Sequence, residues 1–214
     1  MNLSAEILPP AWIVALSLAY AASMGLALWR APWDELFLSP ARSHRLGMVA
    51  IGLMLLWWMR AGITAGLGVH FLGMTAATLV LGWPLALIAG LAPVLGAAAT
   101  GLEAWSTVGV TGFLTAAVPV FVTHALLRGL RRWLPENPFV DLLGAAFLGG
   151  VLAGLVARGS IAVFLVVADA GAPRVVLEQS WVIVLLTALP EGVVNGMIVS
   201  LLFAWNPEWL DGLR

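Results

Sequence analysis

The chain reads as an all-α, polytopic bundle of membrane-spanning helices, and three observations predict it. Of 214 residues, 62 % are hydrophobic and only 10 % charged, whereas soluble domains carry about 25 % charged residues. The polar side chains are too few to cover a water-facing surface. The apolar residues gather in long runs, the first being 19 uncharged residues at 11–29, enough to cross a bilayer. The arginines fall between the runs and concentrate in alternate connections. Together these predict about seven spans in one integral membrane domain, residues 1–214, with the N-terminus outside and the C-terminus cytoplasmic.

The first run is expected to be a retained helix. Residues 1–10 contain Glu6 and no basic residue, whereas a secretory signal begins with positive charge. A loop is expected at 30–45, with Arg30, Asp34, Glu35, Arg42 and Arg45. The second run, 46–59, is short and becomes a span only if Arg60 snorkels at its end or the helix continues past it. Residues 61–102 hold no formal charge, and Gly82-Trp83-Pro84 divides them into a third helix at about 69–81 and a fourth at about 84–100. The third is short for a crossing and fits a full span or a broken, re-entrant segment, which must be buried in protein or line a cavity. The fifth span is 108–127, with Thr111, Thr115 and Thr123 as helix–helix hydrogen-bonding candidates and Pro119 as a kink candidate. The sixth is 142–168. Ala145, Gly149 and Ala153, with Gly150 and Gly154 alongside, let a second backbone approach closely. Arg158 lies either inside this span or at its end. A polar loop at 169–179 and a seventh span at 181–205 complete the set. Trp29, Trp33, Trp57, Trp58, Trp133, Trp181 and Trp205 fall near span ends, where interfacial Trp is expected.

Orientation follows from the arginines, since all ten basic residues are Arg. Loops 30–45 and 128–138 and the tail share one side and hold Arg30, Arg42, Arg45, Arg128, Arg131, Arg132 and Arg214. The other side holds Arg60 and Arg174, with Arg158 if exposed. The majority side is expected to be cytoplasmic.

Composition also narrows function. There is no Cys, which removes disulfides and thiolate chemistry. A net charge of −1 gives no reason to expect nucleic-acid binding. No phosphate-binding loop and no Gly-x-Ser-x-Gly are present. Neither His70 nor Glu191 has a nucleophile at a recognisable spacing, so an enzyme is not expected, nor is a covalently bound cofactor.

Three polar features remain. His70 sits in Gly66-Leu-Gly-Val-His-Phe-Leu-Gly-Met74 and reads either as a metal ligand or as a hydrogen-bonded interior imidazole. Met74, four residues on, would share its helical face, as a thioether ligand or as packing. Glu191 and Asn195 lie four apart in Leu189-Pro-Glu-Gly-Val-Val-Asn195 and share a helical face. A charge at that depth costs about 2.5–3.5 kcal/mol. That face either serves a cargo or hydrogen-bonds a neighbouring helix.

The ordered set of motifs resembles the CbiM/NikM family, the substrate-capturing membrane subunits of energy-coupling factor transporters for cobalt and nickel. Met1-Asn-Leu-Ser-Ala-Glu-Ile-Leu-Pro-Pro-Ala-Trp12 is similar to that family's Met-His-Ile-Pro-Asp-Gly-Phe-Leu-Ser-Pro-Pro opening. Gly68-Val-His-Phe-Leu-Gly73 resembles its Ser-Gly-His-Leu-Leu-Gly stretch, with Leu81-Gly-Trp83 like its Leu-Gly-Pro-Trp. Ala188-Leu-Pro-Glu-Gly-Val-Val-Asn-Gly196 and the closing Asn206-Pro-Glu208 resemble its His-Leu-Pro-x-Ala-Val-x-Glu-Gly and Arg-Pro-Glu. The resemblance implies seven helices in the inner membrane, a transition metal ion as cargo, and separate ATPase and coupling transmembrane subunits. By the same token it implies a metal site of the Met1 amine, Asn2 and His70. The family has His where this chain has Asn2 and Ala188, and Glu where it has Asn195; Glu191 is not required by the family pattern. These departures leave a different small-molecule cargo, or an accessory membrane role without transport, as alternatives.

Overall fold

The computed structural model describes residues 9–59, 61–64, 67–167 and 174–213, with side chains described outside 61–69, 164–180 and 183. Met1 and Asn2 therefore lie outside the described residues.

Each expected apolar segment forms a helix. α1 (Pro10–Arg30) opens on a proline, whose fixed φ suits a first turn. Only Tyr20 and Ala27 of α1 are buried, as expected of a helix at the lipid boundary. Its inner face meets Gly109 and Gly112 through Ser17 and Tyr20.

The expected loop at 30–45 is instead helical. α2 (Trp33–Leu38) and α3 (Pro40–Trp58) fill it. Ser39 starts α3, its hydroxyl accepting from the Arg42 N–H at 3.4 Å, and Pro40 follows. Ser-Pro is a helix-start signature, and it extends the second helix six residues ahead of the apolar run at 46.

A two-stranded antiparallel hairpin, β1 (Ala61–Thr64) and β2 (Leu67–Val69), then turns the chain back. α4 (Met74–Leu81) has only 8 residues, all buried. At 1.5 Å per residue it is about 12 Å long, far short of the ~30 Å hydrocarbon core. The expected start at 69 is corrected to Met74 because Gly73, at φ 67, breaks the helix before it. A Cβ there would stand 2.6 Å from Leu56 Cδ2. Gly82, at φ 75, makes the expected turn into α5 (Trp83–Ala99).

The fifth helix runs Trp105–Trp133 and takes in Arg128, Arg131 and Arg132. It comprises a 3₁₀ turn (Trp105–Thr107), α6 (Val108–Thr111), a π segment (Gly112–Ala117) and α7 (Val118–Trp133). The π segment sits just before Pro119, which lacks the N–H an α-register would use. A second π segment (Val140–Leu148) leads into α8 (Gly149–Val167). α9 (Arg174–Trp205) has 32 residues with Pro190 inside. The polar loop expected at 169–179 is thus helical from Arg174 onward. Short 3₁₀ turns at Pro207–Trp209 and Asp211–Leu213 end the chain.

Among the described residues, four helices are long and apolar enough to cross a membrane: Pro10–Arg30, Trp105–Trp133, Val140–Val163 and Val184–Trp205. α5, at 17 residues, is shorter. α4 is the centre of the packing, touched by α3, α5, α7, α8, α9 and the last 3₁₀ turn. The Gly/Ala stripe of α8 does what its spacing predicts. A Cβ at Gly150 would stand 3.0 Å from the Gly192 Cα of α9, and one at Gly154 3.2 Å from the Glu191 Cγ. The two backbones meet where neither has a side chain.

Candidate functional site

A helix that begins inside a membrane protein leaves its first N–H groups without intrahelical partners, and lipid offers none. α4 is such a helix, and α9 answers it. Glu191 accepts from the Leu72 N–H at 3.0 and 3.1 Å and from the Gly73 N–H at 2.9 Å. Asn195, one turn on, accepts the Ala76 N–H on Oδ1 at 2.7 Å. Its Nδ2 donates back to the Glu191 carbonyl at 2.7 Å and to Oε1 at 2.9 Å. Donor and acceptor demands fix the orientation of the amide. Negative charge at a helix N-terminus is further favoured by the helix dipole.

Arg158 completes the cluster. It lies inside α8, 3 % exposed, and its Nη2 meets Glu191 Oε2 at 2.9 Å. The same nitrogen donates to the His70 carbonyl at 2.9 Å. All partners of the Glu191 oxygens are donors, the arrangement an acceptor-only carboxylate requires. Sequence reasoning weighed Glu191 and Asn195 between cargo and scaffold; the structure ties them to the backbone of residues 72–76. It did not pair Arg158 with Glu191. The signal was there, because two opposite charges in neighbouring apolar helices have each other as the natural partner.

His70 sits just ahead of this cap, 4 % exposed, between the hairpin and α4. Its ring lies 4.6 Å from that of Trp57, tilted by 39°. Trp57 Nε1 donates to the Leu72 carbonyl at 3.0 Å. Trp57, expected near the interface, is therefore a core residue at 1 % exposure, recruited because its N–H satisfies a carbonyl of the irregular stretch. Trp29, Trp133 and Trp205 remain exposed. His70 Nδ1 lies 3.1 Å from the Phe71 carbonyl. A carbonyl only accepts, so Nδ1 carries the proton and, in the neutral ring, Nε2 carries the lone pair.

Met74 does not share a helical face with His70, because residues 70–73 are not helical. Its thioether packs in the core over Gly90 of α5 and beside Ala116. Among the described residues, no group of three or more His, Asp or Glu side chains converges. Of the fifth-span threonines, Thr123 bonds Thr75 of α4 across the helices at 2.8 Å. Thr115 instead donates to Thr111 O in its own helix at 2.6 Å.

The arginine-rich segments predicted to share one side do meet. Asp211 of the tail pairs with Arg45 at 2.9 Å and Arg42 at 3.3 Å. Arg131 donates to the Leu213 carbonyl at 2.8 Å and pairs with Asp141 at 2.7 Å. Glu35 pairs with Arg42.

Comparison with known proteins agrees with this architecture. The structure resembles a truncated transition metal transporter with a TM-score of 0.75 at 17 % identity, covering 97 % of this chain and 99 % of that one. It resembles another transition metal transporter structure with a TM-score of 0.68 at 16 % identity, covering 95 % and 93 %. A search of curated proteins finds no match. The model of the CbiM family, described as a cobalt uptake substrate-specific transmembrane region, matches residues 2–209. The chain belongs to the CbiM family of membrane-embedded metal-uptake components.

Proposed function

We propose that the chain is the substrate-capturing membrane component of an energy-coupling factor type transporter, and that its cargo is a transition metal ion of the cobalt and nickel kind. The observation that carries this reading is the geometry of His70. A buried imidazole whose Nδ1–H is committed to a carbonyl is the usual state of a metal-ligating His; the Nδ1–Phe71 bond puts the lone pair of the neutral ring on Nε2, the nitrogen this reading assigns to the metal. In this reading the Met1 amine and the Asn2 backbone supply the other donors. Imidazole and amine nitrogen suit Ni(II) and Co(II), and thioether ligation is not needed. The chain works as one domain in the inner membrane with seven crossings, N-terminus outside. Separate ATPase and coupling transmembrane subunits supply the energy, and the Arg-rich end faces the cytoplasm.

The test is elemental analysis of protein purified with an unmodified N-terminus from cells supplied with Ni and Co. Wild type is expected to carry about one equivalent of metal, in keeping with a single imidazole site, and His70→Ala to lose it while remaining folded. Absence of metal from wild type sinks the metal reading and favours a different small cargo.

A further inference from the structure

We propose that Arg158 and Glu191 are positioning residues for His70, holding the 70–73 backbone so that the imidazole presents one defined nitrogen. Only the identity of what that nitrogen takes up rests on the metal reading above. Residues 70–73 belong to neither helix nor strand, so their backbone groups need partners from elsewhere. Glu191 takes the N–H groups of Leu72 and Gly73, and Trp57 takes the Leu72 carbonyl. Arg158 Nη2 takes the His70 carbonyl while holding Glu191. One ion pair thus brackets the segment at both ends.

Capping α4 does not account for Arg158. Glu191 and Asn195 accept from the Leu72, Gly73 and Ala76 N–H groups at the start of α4, and the bond from Arg158 to His70 O lies outside that helix. A buried ion pair is also no better for stability than apolar residues of similar volume. Its distinct contribution here is geometric: it connects α8 and α9 to the backbone that carries the imidazole.

The test uses metal-free protein in lipid nanodiscs, labelled with ¹⁵N-histidine and purified without a histidine tag. The chain has three histidines, so a His44→Gln, His124→Gln background leaves His70 as the labelled one. Without further change, NMR is expected to show a single tautomer protonated at Nδ1. Arg158→Met is expected to give a mixture of tautomers, and Arg158→Lys to restore the single form in part. An unchanged His70 spectrum in folded Arg158→Met overturns the proposal. Should that variant not fold, Glu191→Gln is read in the same way, since it keeps an acceptor for Leu72 and Gly73 but removes the ion pair; an unchanged spectrum there overturns it equally. Nickel titration of the same proteins is expected to show binding weakened roughly 10–100-fold in Arg158→Met, as for other residues that orient a ligating His. Wild type that binds no nickel would defeat the metal reading, and the tautomer result would still decide the positioning role.

Discussion

The two ends of α4 are held by the same kinds of groups in different surroundings. At its N-terminal end Arg158 and Glu191 have side chains only 4 % and 2 % exposed. At its C-terminal end the tail folds beneath the helix, with Gly212 against the Thr78 and Leu79 carbonyls. There the Arg42 and Asp211 side chains are 31 % and 23 % exposed. Water reaches Arg42 and Asp211 in the second cluster, although Arg45 there is only 9 % exposed, so the exposed Arg42–Asp211 pair contributes about 0–1 kcal/mol. Burial shuts bulk solvent away from the first. Removing one member of a buried pair leaves an uncompensated charge, at a cost of about 3–5 kcal/mol. The difference teaches that the exposed ion pairs gathering the loops into one end are weak ties, whereas the Arg158–Glu191 pair in the core is a structural commitment.

The sharpest way to break this comparison is to truncate the buried pair. Glu191→Ala is expected to lose about 3–5 kcal/mol in reversible unfolding in detergent, and to lose less when Arg158→Met is combined with it. Strict additivity would show that the two are not coupled. Gly192→Val tests whether the buried end depends on the close approach of α8 and α9. Its side chain would run into the Phe147 carbonyl, 2.7 Å from where its Cβ would stand, and the expected loss is about 1–3 kcal/mol. Asn195→Ala strands the Ala76 N–H and should cost about 1–3 kcal/mol in the same assay. Asp211→Asn at the other end should cost no more than about 1 kcal/mol and less at high salt. A loss there comparable to that of Glu191→Ala would erase the distinction between the ends.

Much of this was legible in the residues. The runs located the helices, Gly82 located the turn into α5, and the spacing of Gly150 and Gly154 announced a close helix contact. The single-face placement of Glu191 and Asn195 was also readable, because four residues make about one turn. What failed to read had physical causes. Ser39-Pro40 starts α3 ahead of the apolar run because capping is a local backbone matter that hydropathy does not register. Met74 does not continue from His70, because Gly73 breaks the helical period on which that inference depended. Trp57 is apolar with one donor, and residue type alone does not separate an interfacial Trp from a core one.

The sequence by itself determined a helical membrane protein, the order of its segments, the arginine-rich end and the family to which its motifs belong. The first three follow from composition and short-range spacing, which burial in lipid enforces on any fold; the family follows from the resemblance of its ordered motifs. Only the tertiary structure decided that Glu191 and Asn195 serve the broken start of α4, and that Arg158 ties this cluster to His70. Those partners lie 33 to 119 residues apart. No local rule pairs them, because their bonds exist only once α8 and α9 have packed glycine to glycine and brought the carboxylate to unpaired backbone.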